Sequence, residues 1–277
     1  MLLAQNISYK VGKKSIVSDC SIVIQPGEFT AIVGPNGAGK TSLLRVLSHE
    51  STRYKGNVTF NGKNITKIKS RELSALRAVL PQHTTVNFPF AIEQIIEIGR
   101  YPHQTTRIEN ERIICEVLEL TGLSSFRGRA YQTLSGGEQQ RVQLARVITQ
   151  IWDQADFPKY LLLDEPTSSM DMAHQHTLLE LAKNLCNRNI GVLAILHDLN
   201  LAAQYADNVL FLKAGATVAQ GSVRDVMTEE IIEKTFAHPV KVSYDEWTNK
   251  PVIYSLPKNR FTITEKQIVN KNKYVYE

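Results

Sequence analysis

The chain has 277 residues with 43% hydrophobic and 21% charged side chains, a globular balance that excludes a disordered polyelectrolyte and leaves room for one or two domains. The net charge of +5 would suit an anionic partner, but Lys and Arg are scattered with no basic block interleaved with aromatics, which argues against nucleic acid. No apolar run is long enough to span a bilayer, the start lacks the basic and extended apolar regions of a signal peptide, and Cys20, Cys115 and Cys186 are too dispersed for a CxxC site, so the expectation is a cytosolic chain with reduced thiols.

Residues 2–30 alternate as strands, through Leu3, Ile7 and Tyr9, then Ser15 to Val17, then Ser21 to Ile24, with Gly12 and Pro26-Gly27 as turns. They predict a small antiparallel β layer. Phe29 to Val33 is apolar and β-prone and reads as a buried strand. It runs into Gly34, Pro35, Asn36, Gly37, Ala38, Gly39, Lys40 and Thr41, the pattern G-x-x-x-x-G-K-S/T, and from Ser42 to Leu47 the chain reads as helix. Strand, glycine loop and helix form the context a phosphate-binding loop requires. Glycines bring bare N–H groups against phosphate oxygens, and the helix N-terminus adds unpaired N–H groups and the positive end of its dipole. Lys40 supplies an ammonium for the β- and γ-phosphates and the Thr41 hydroxyl can ligate Mg²⁺, but the loop alone says only that a nucleotide binds.

Residues 56–62 read as a strand closed by the hairpin-type turn Asn61-Gly62. Ser70 to Leu76 reads as a helix capped by Ser70, and Ala78 to Leu80 as a short strand ending at Pro81-Gln82. Over residues 83–150 helical patterns dominate, at Ala91 to Ile98, Arg107 to Leu120 and Ser135 to Thr149, and predict a helical subdomain inserted into the α/β body. Ser135, with Glu138 three residues later, forms a capping box. Tyr160 to Asp164 and Gly191 to Leu196 read as buried parallel strands with residues 172–188 helical between them. Asn208 to Lys213 and Ala216 to Ala219 are short strands, Thr228 opens a helix through Phe236, and beyond Val240 the pattern is weak, with Pro239, Pro251 and Pro257 as breaks.

In open α/β sheets ligands gather at the carboxyl ends of strands. Asp164, Glu165, His197 and Gln82 all follow apolar strands and should project toward the phosphate loop. Asp164 is then a second Mg²⁺ anchor, Glu165 a general base for an attacking water, His197 a hydrogen-bond partner of the γ-phosphate, and Gln82 a group within reach of the metal or the water. Taken alone, Asp164-Glu165 would equally well cap a following helix, and Tyr9 would be an ordinary strand aromatic.

Leu134, Ser135, Gly136, Gly137, Glu138 and the following Gln-Gln-Arg141 add a second helix N-terminus suited to an anion. One nucleotide rarely needs two such ends from distant parts of a chain, and the geometry makes sense if this one faces the ATP of a second copy; taken alone, Ser-Gly-Gly reads as an ordinary capped helix start. Here the sequence resembles the ABC-transporter ATPase family over most of residues 1–240, with its motifs in family order. Tyr9 matches the adenine-stacking aromatic, Gly34 to Thr41 with Ser42 the Walker A loop, Gln82 the Q-loop, Leu134 to Glu138 the signature, Leu161 to Asp164 with Glu165 the Walker B strand and catalytic acid, Ser169-Met170-Asp171 the D-loop and His197 the switch histidine. Two positions depart from the commonest form. Glu138 stands where Gln is usual, and the D-loop has Ser-Met-Asp.

The resemblance implies a P-loop NTPase (RecA-like) α/β core with an antiparallel β subdomain and an inserted helical subdomain. Residues 1–240 would form one ATPase domain and 241–277 a C-terminal extension. It further implies catalytic roles for Glu165, His197, Lys40 and Gln82, a metal site of Thr41, Gln82 and Asp164, and a head-to-tail homodimer that sandwiches ATP. Its partners would be two membrane permease subunits and, indirectly, a periplasmic or surface substrate-binding protein, at the cytoplasmic face of the cell (inner) membrane. Within the family, Leu80-Pro-Gln-His83, Phe88-Pro-Phe90, Gly99 to His103, Arg141 to Arg146 and the extra segment Ile151 to Pro158 resemble haem importers, with ferric-siderophore and cobalamin importers as the alternatives. His83, His103, His174 and His176 are not expected to be haem ligands, because the ATPase should not touch the substrate.

Overall fold

The computed structural model describes residues 1–82, 84–86, 88–168 and 170–257; His83 and Ser169 of the motifs above, and the tail from Lys258, lie outside the described residues. Strands β1 (Leu2–Val11) and β2 (Lys14–Ile24) pair antiparallel around the turn at Gly12. The period-2 burial of Leu2 and Ala4 resumes out of phase at Ile7, because the ladder is interrupted near Asn6, whose φ is +51°. Strand β3 (Phe29–Val33) is buried along its whole length and leads to helix α1 (Lys40–Leu47). Strands β4 (Tyr54–Phe60) and β5 (Lys63–Asn64) follow, joined by Asn61 and Gly62 with φ +50° and +82°, the pair of positive angles that a tight hairpin of this hand demands. The antiparallel sheet has the order β2-β1-β4-β5.

Helix α2 (Ser70–Leu76) starts one residue earlier than a Ser70 cap requires: Lys69 holds the cap position without a side-chain bond, and Ser70 is the first helical residue. Strand β6 (Arg77–Leu80) is followed by the helical stretch α3 (Ile92–Glu97), α4 (Arg107–Leu120) and α5 (Gly136–Gln150). Strand β7 (Lys159–Leu163), helix α6 (Met172–Leu185), strand β8 (Ile190–Ile195), helix α7 (Leu199–Tyr205) and strands β9 (Asn208–Lys213) and β10 (Ala216–Ser222) complete the α/β body. Helices α8 (Val223–Val226) and α9 (Glu229–Phe236) lead to a hairpin of β11 (Val240–Tyr244) and β12 (Pro251–Ser255).

The six-stranded sheet runs β10-β9-β3-β8-β7-β6, parallel throughout except for β10. Alternation along its strands feeds two cores. Ile32, Leu162, Leu193 and Leu210 point to the α1, α2 and antiparallel-sheet side. Ala31, Val33, Leu161, Leu163, Val192 and Phe211 point to the side covered by α3 to α6. A sheet buried on both faces needs unbroken apolar strands, which is why β3, β7 and β8 lack polar alternation.

Two elements go beyond the sequence expectations. Helix α7 is capped by Asp198, whose Oδ1 accepts from Asn200 N at 2.7 Å and Leu201 N at 3.2 Å. Pro251, expected as a break, is the first residue of β12, a position that tolerates the missing N–H. Asn200 holds that strand by a paired bond, accepting from Ile253 N at 2.8 Å and donating to Ile253 O at 3.2 Å.

Replacing Phe211, fully buried on the helical face, by Ala should lower the unfolding free energy by about 3–5 kcal/mol. Met172→Ala, at a side chain 75% exposed, should stay within about 0.5 kcal/mol. Denaturant midpoints at unchanged m-value check both.

Candidate active site

Four strand ends meet at one edge of the parallel sheet. β3 delivers the glycine loop, β6 delivers Gln82, β7 delivers Asp164 and Glu165, and β8 delivers His197. Backbone bonds just past the strands keep these ends level: Asp164 N donates to Leu80 O at 2.9 Å and Leu196 N to Ile32 O at 3.1 Å.

The loop is glycine where side chains cannot fit. A Cβ on Gly34 would lie 2.0 Å from Leu212 O, and one on Gly39, at φ +100°, 2.7 Å from Ile16 O. Gly39 caps α1 with no side-chain bond, which leaves first-turn N–H groups for a ligand. Lys40 is buried at 5% exposure and donates to Gly34 O at 2.8 Å and Pro35 O at 3.2 Å. Burial pushes its ammonium down from the usual lysine range, and the negative charges of Glu165 and Asp164 oppose that shift. The Thr41 hydroxyl donates to Asp164 Oδ1 at 3.1 Å. Asp164, only 6% exposed, has its carboxyl pushed up by burial, against the Thr41 hydrogen bond. A cleft of about 270 Å³ opens here, walled by residues 36–42, Glu165, Lys14 and Ile16.

Glu165 is gripped on both oxygens. Gln82 Nε2 donates to Oε2 at 2.5 Å, and His197 Nε2 lies 2.6 Å from Oε1. A carboxylate only accepts, so the imidazole proton belongs on Nε2 in this pairing. Among the described residues no group of three or more His, Cys, Asp or Glu is arranged to hold a metal ion. A cation here would depend on the Thr41 and Asp164 oxygens, the Gln82 amide oxygen and oxygens brought by the ligand, a hard-donor set that fits Mg²⁺.

Tyr9 is not brought to this cleft. Its register on β1, opposite Val17 and Tyr54, turns the ring onto the core beneath α1, where its hydroxyl meets Ser51 Oγ at 3.5 Å. The cleft wall is supplied instead by Lys14 and Ile16 of β2, which no spacing in the sequence marks. Ser135, Gly136, Gly137 and Glu138 are also absent from it. Ser135 N donates to Glu138 Oε2 at 2.7 Å and Glu138 N to Ser135 Oγ at 3.4 Å, the reciprocal capping box, which holds the Glu138 carboxylate below the usual range. A Cβ on Gly136 or Gly137 would meet nothing within 4 Å, so this helix end is open outward. A larger cavity, about 540 Å³, lies at the amino ends of β7 and β8 beside Trp152 and Lys159, at the opposite end of the strands, and is lined by none of the site residues expected from the sequence. His103, His174 and His176 are engaged with Gln150 O, Asp171 and Tyr205 respectively.

A family model described as ABC transporter matches residues 17–168. Proteins named hemin import ATP-binding protein HmuV are similar over nearly their whole length. The one from Rhizobium meliloti (strain 1021) is 44% identical over 88% of this chain and 94% of its own. The one from Hydrogenovibrio crunogenus is 44% identical over 87% and 95%, and the one from Pseudomonas fluorescens (strain Pf0-1) 39% identical over 91% and 99%. Solved structures share the fold. A metal-chelate type ABC transporter in an inward-facing conformation superposes with TM-score 0.78 at 23% identity over 93% of this chain and 97% of that one. A nucleotide-free ATP-binding cassette from an ABC transporter gives 0.71 at 22% identity over 86% and 96%.

Because burial raises the Asp164 pKa above its ordinary 3.8, the folded chain holds that proton more tightly than the unfolded chain. The associated stability is present below the ordinary pKa and is lost as pH rises through the raised one. Asp164→Asn should therefore raise the thermal midpoint of the nucleotide-free chain near pH 7. The gain should shrink as pH falls into the carboxylate range, as calorimetry across pH would show.

Proposed function

Because the chain belongs to the ABC transporter family and is an ATPase coupled to import, we propose that it energises the uptake of haemin through a membrane permease. The observation that carries the cargo is the run of full-length relatives at about two-fifths identity, each named for hemin import. A ferric-siderophore or cobalamin cargo is the second reading, favoured by the structural likeness to a metal-chelate type transporter. Residues 1–240 act as one nucleotide-binding unit with 83–150 as its helical arm, and 241–277 form an extension. Among the described residues no helix is long and apolar enough to cross a membrane. The chain works from the cytoplasmic face of the cell (inner) membrane on two permease subunits, and a periplasmic or surface binding protein hands over the cargo.

In this reading the loop N–H groups, Gly34 to Ser42, and the α1 N-terminus hold the ATP phosphates, and Lys40 leaves its loop carbonyls for the β- and γ-oxygens. Thr41, Asp164 and Gln82 would hold Mg²⁺, which when bound neutralises phosphate charge. Glu165 takes the proton of a water that attacks the γ-phosphorus, and ADP and phosphate leave. Gln82 and His197 orient that carboxylate, and His197 is 45% exposed and so within reach of a γ-phosphate. Phosphoryl transfer asks mostly for positioning and charge stabilisation, which this arrangement supplies.

The outward-facing N-terminus of α5 supports a head-to-tail homodimer in which Ser135 and Gly137 act on the partner's γ-phosphate. One chain leaves that helix end and its own phosphate loop in separate places. Closure passes to the permease through the segment near 83–103, where Phe88, Phe90 and Tyr101 are exposed at 66%, 42% and 83%. Buried Arg100 anchors that segment through two bonds to Asp153, at 2.6 and 2.9 Å.

Glu165→Gln should keep ATP binding, trap the dimer and lose most turnover, about a hundredfold or more. Phosphate release and size-exclusion chromatography with ATP read this, and parent-like turnover would remove Glu165 from the catalytic role. A Lys40→Ala strain should fail to grow on haemin as sole iron source and still grow on an iron salt. Failure on a ferric siderophore alone would move the cargo to the second reading.

A further inference from the structure

Glu165 stands at φ +51°, the left-handed region that a non-glycine residue keeps only where its surroundings over-determine it. It also precedes Pro166, whose ring crowds the residue before it. The restraint comes from three residues further on. Ser168 donates twice to the Glu165 carbonyl, from its backbone N–H at 3.2 Å and from its hydroxyl at 2.9 Å. The first bond closes a four-residue turn with Pro166 at its second position, where a fixed φ suits the geometry. The second is a side-chain strut on the same oxygen. At the far end of the residue the carboxylate is held by Gln82 and His197, which arrive from β6 and β8. Glu165 is thus pinned at both ends, and only the backbone pin is local to its own loop.

We propose that Ser168 is a positioning residue for hydrolysis: its hydroxyl fixes the Glu165 backbone so that the carboxylate stays aimed at the attacking water. The inference rests on the reading of Glu165 as general base. Ser168 does not line the phosphate-loop cleft, so its hydroxyl acts on rate and leaves nucleotide affinity alone. In a turn with no such task the backbone bond would suffice and the hydroxyl would be dispensable.

The test compares the full-length parent with Ser168→Ala, Ser168→Thr, Glu165→Gln and the double variant Glu165→Gln/Ser168→Ala, reading ATP turnover and nucleotide affinity. Ser168→Ala should lower kcat about tenfold, the effect of one well-placed hydrogen bond, with KM for ATP within about twofold. Ser168→Thr keeps a hydroxyl and should recover turnover to within about threefold of the parent. In the Glu165→Gln background the loss of the hydroxyl should cost nothing further, because no base remains to be aimed. Parent-like kcat in Ser168→Ala, no rescue by Thr, an equal loss in both backgrounds, or a fall in nucleotide affinity matching the fall in rate would each overturn the proposal. Parent-like turnover of Glu165→Gln would instead sink the general-base reading, and this inference with it. The two failures are therefore distinguished by which variant stays active.

Discussion

Everything at the site depends on the parallel ladder that joins β6, β7, β8 and β3. Parallel pairing sends all four chains out of the sheet in the same direction, so each loop begins at the same edge. The register then decides which residue of each loop faces the cleft. Leu80 pairs with Leu163 and Leu163 with Ala194, which sets Gln82, Asp164, Glu165 and His197 on one level. A slip of one residue would exchange the two faces of a strand and carry Asp164 away from Thr41. Packing opposes that slip, because the side chains on each face of β3, β7 and β8 are fitted to a different core.

The glycine loop adds a second constraint of a different kind. Its shape is enforced by contact as much as by conformational freedom. Gly34 passes against Leu212 and Gly39 against Ile16, so β9 and β2 form a mould into which no side chain fits. The loop is further tied down by the bond from Gly215 N to Ala38 O at 2.9 Å. The result is a rigid arc of backbone N–H groups around one buried ammonium. Lys40 has only two carbonyl partners and lies near two carboxylates, so a multiply charged anion offers it more than the loop does.

Much of this was legible in the chain. The strand, loop and helix around Lys40 follow from local patterning, and Ser135 with Glu138 forms the capping box that the sequence spacing indicates. Helix α7 carried a readable signal too, in Asp198 ahead of an apolar-periodic run. The final hairpin was obscured by Pro251, because a proline reads as a break unless the strand begins there. Tyr9 shows a different limit. Its distance from the phosphate loop along the chain matches an adenine-stacking aromatic, but its ring direction is set by cross-strand partners at Val17 and Tyr54, which a linear count does not contain.

The sequence by itself determined the elements, the phosphate loop and the identity of the acids, amide and imidazole at the strand ends. These depend on local periodicity and on residue types that few other chemistries require at that spacing. Tertiary structure alone decided that Gln82 and His197 close on the two oxygens of Glu165, that Lys14 and Ile16 wall the phosphate-loop cleft, and that the Ser135 helix end lies outside that cleft. Those outcomes depend on strand order and ladder register, which bring together residues separated by 83 positions in one pair, Gln82 and Glu165, and by 123 in another, Thr41 and Asp164. Order and register are properties of how the sheet assembles, and no short window of sequence contains them.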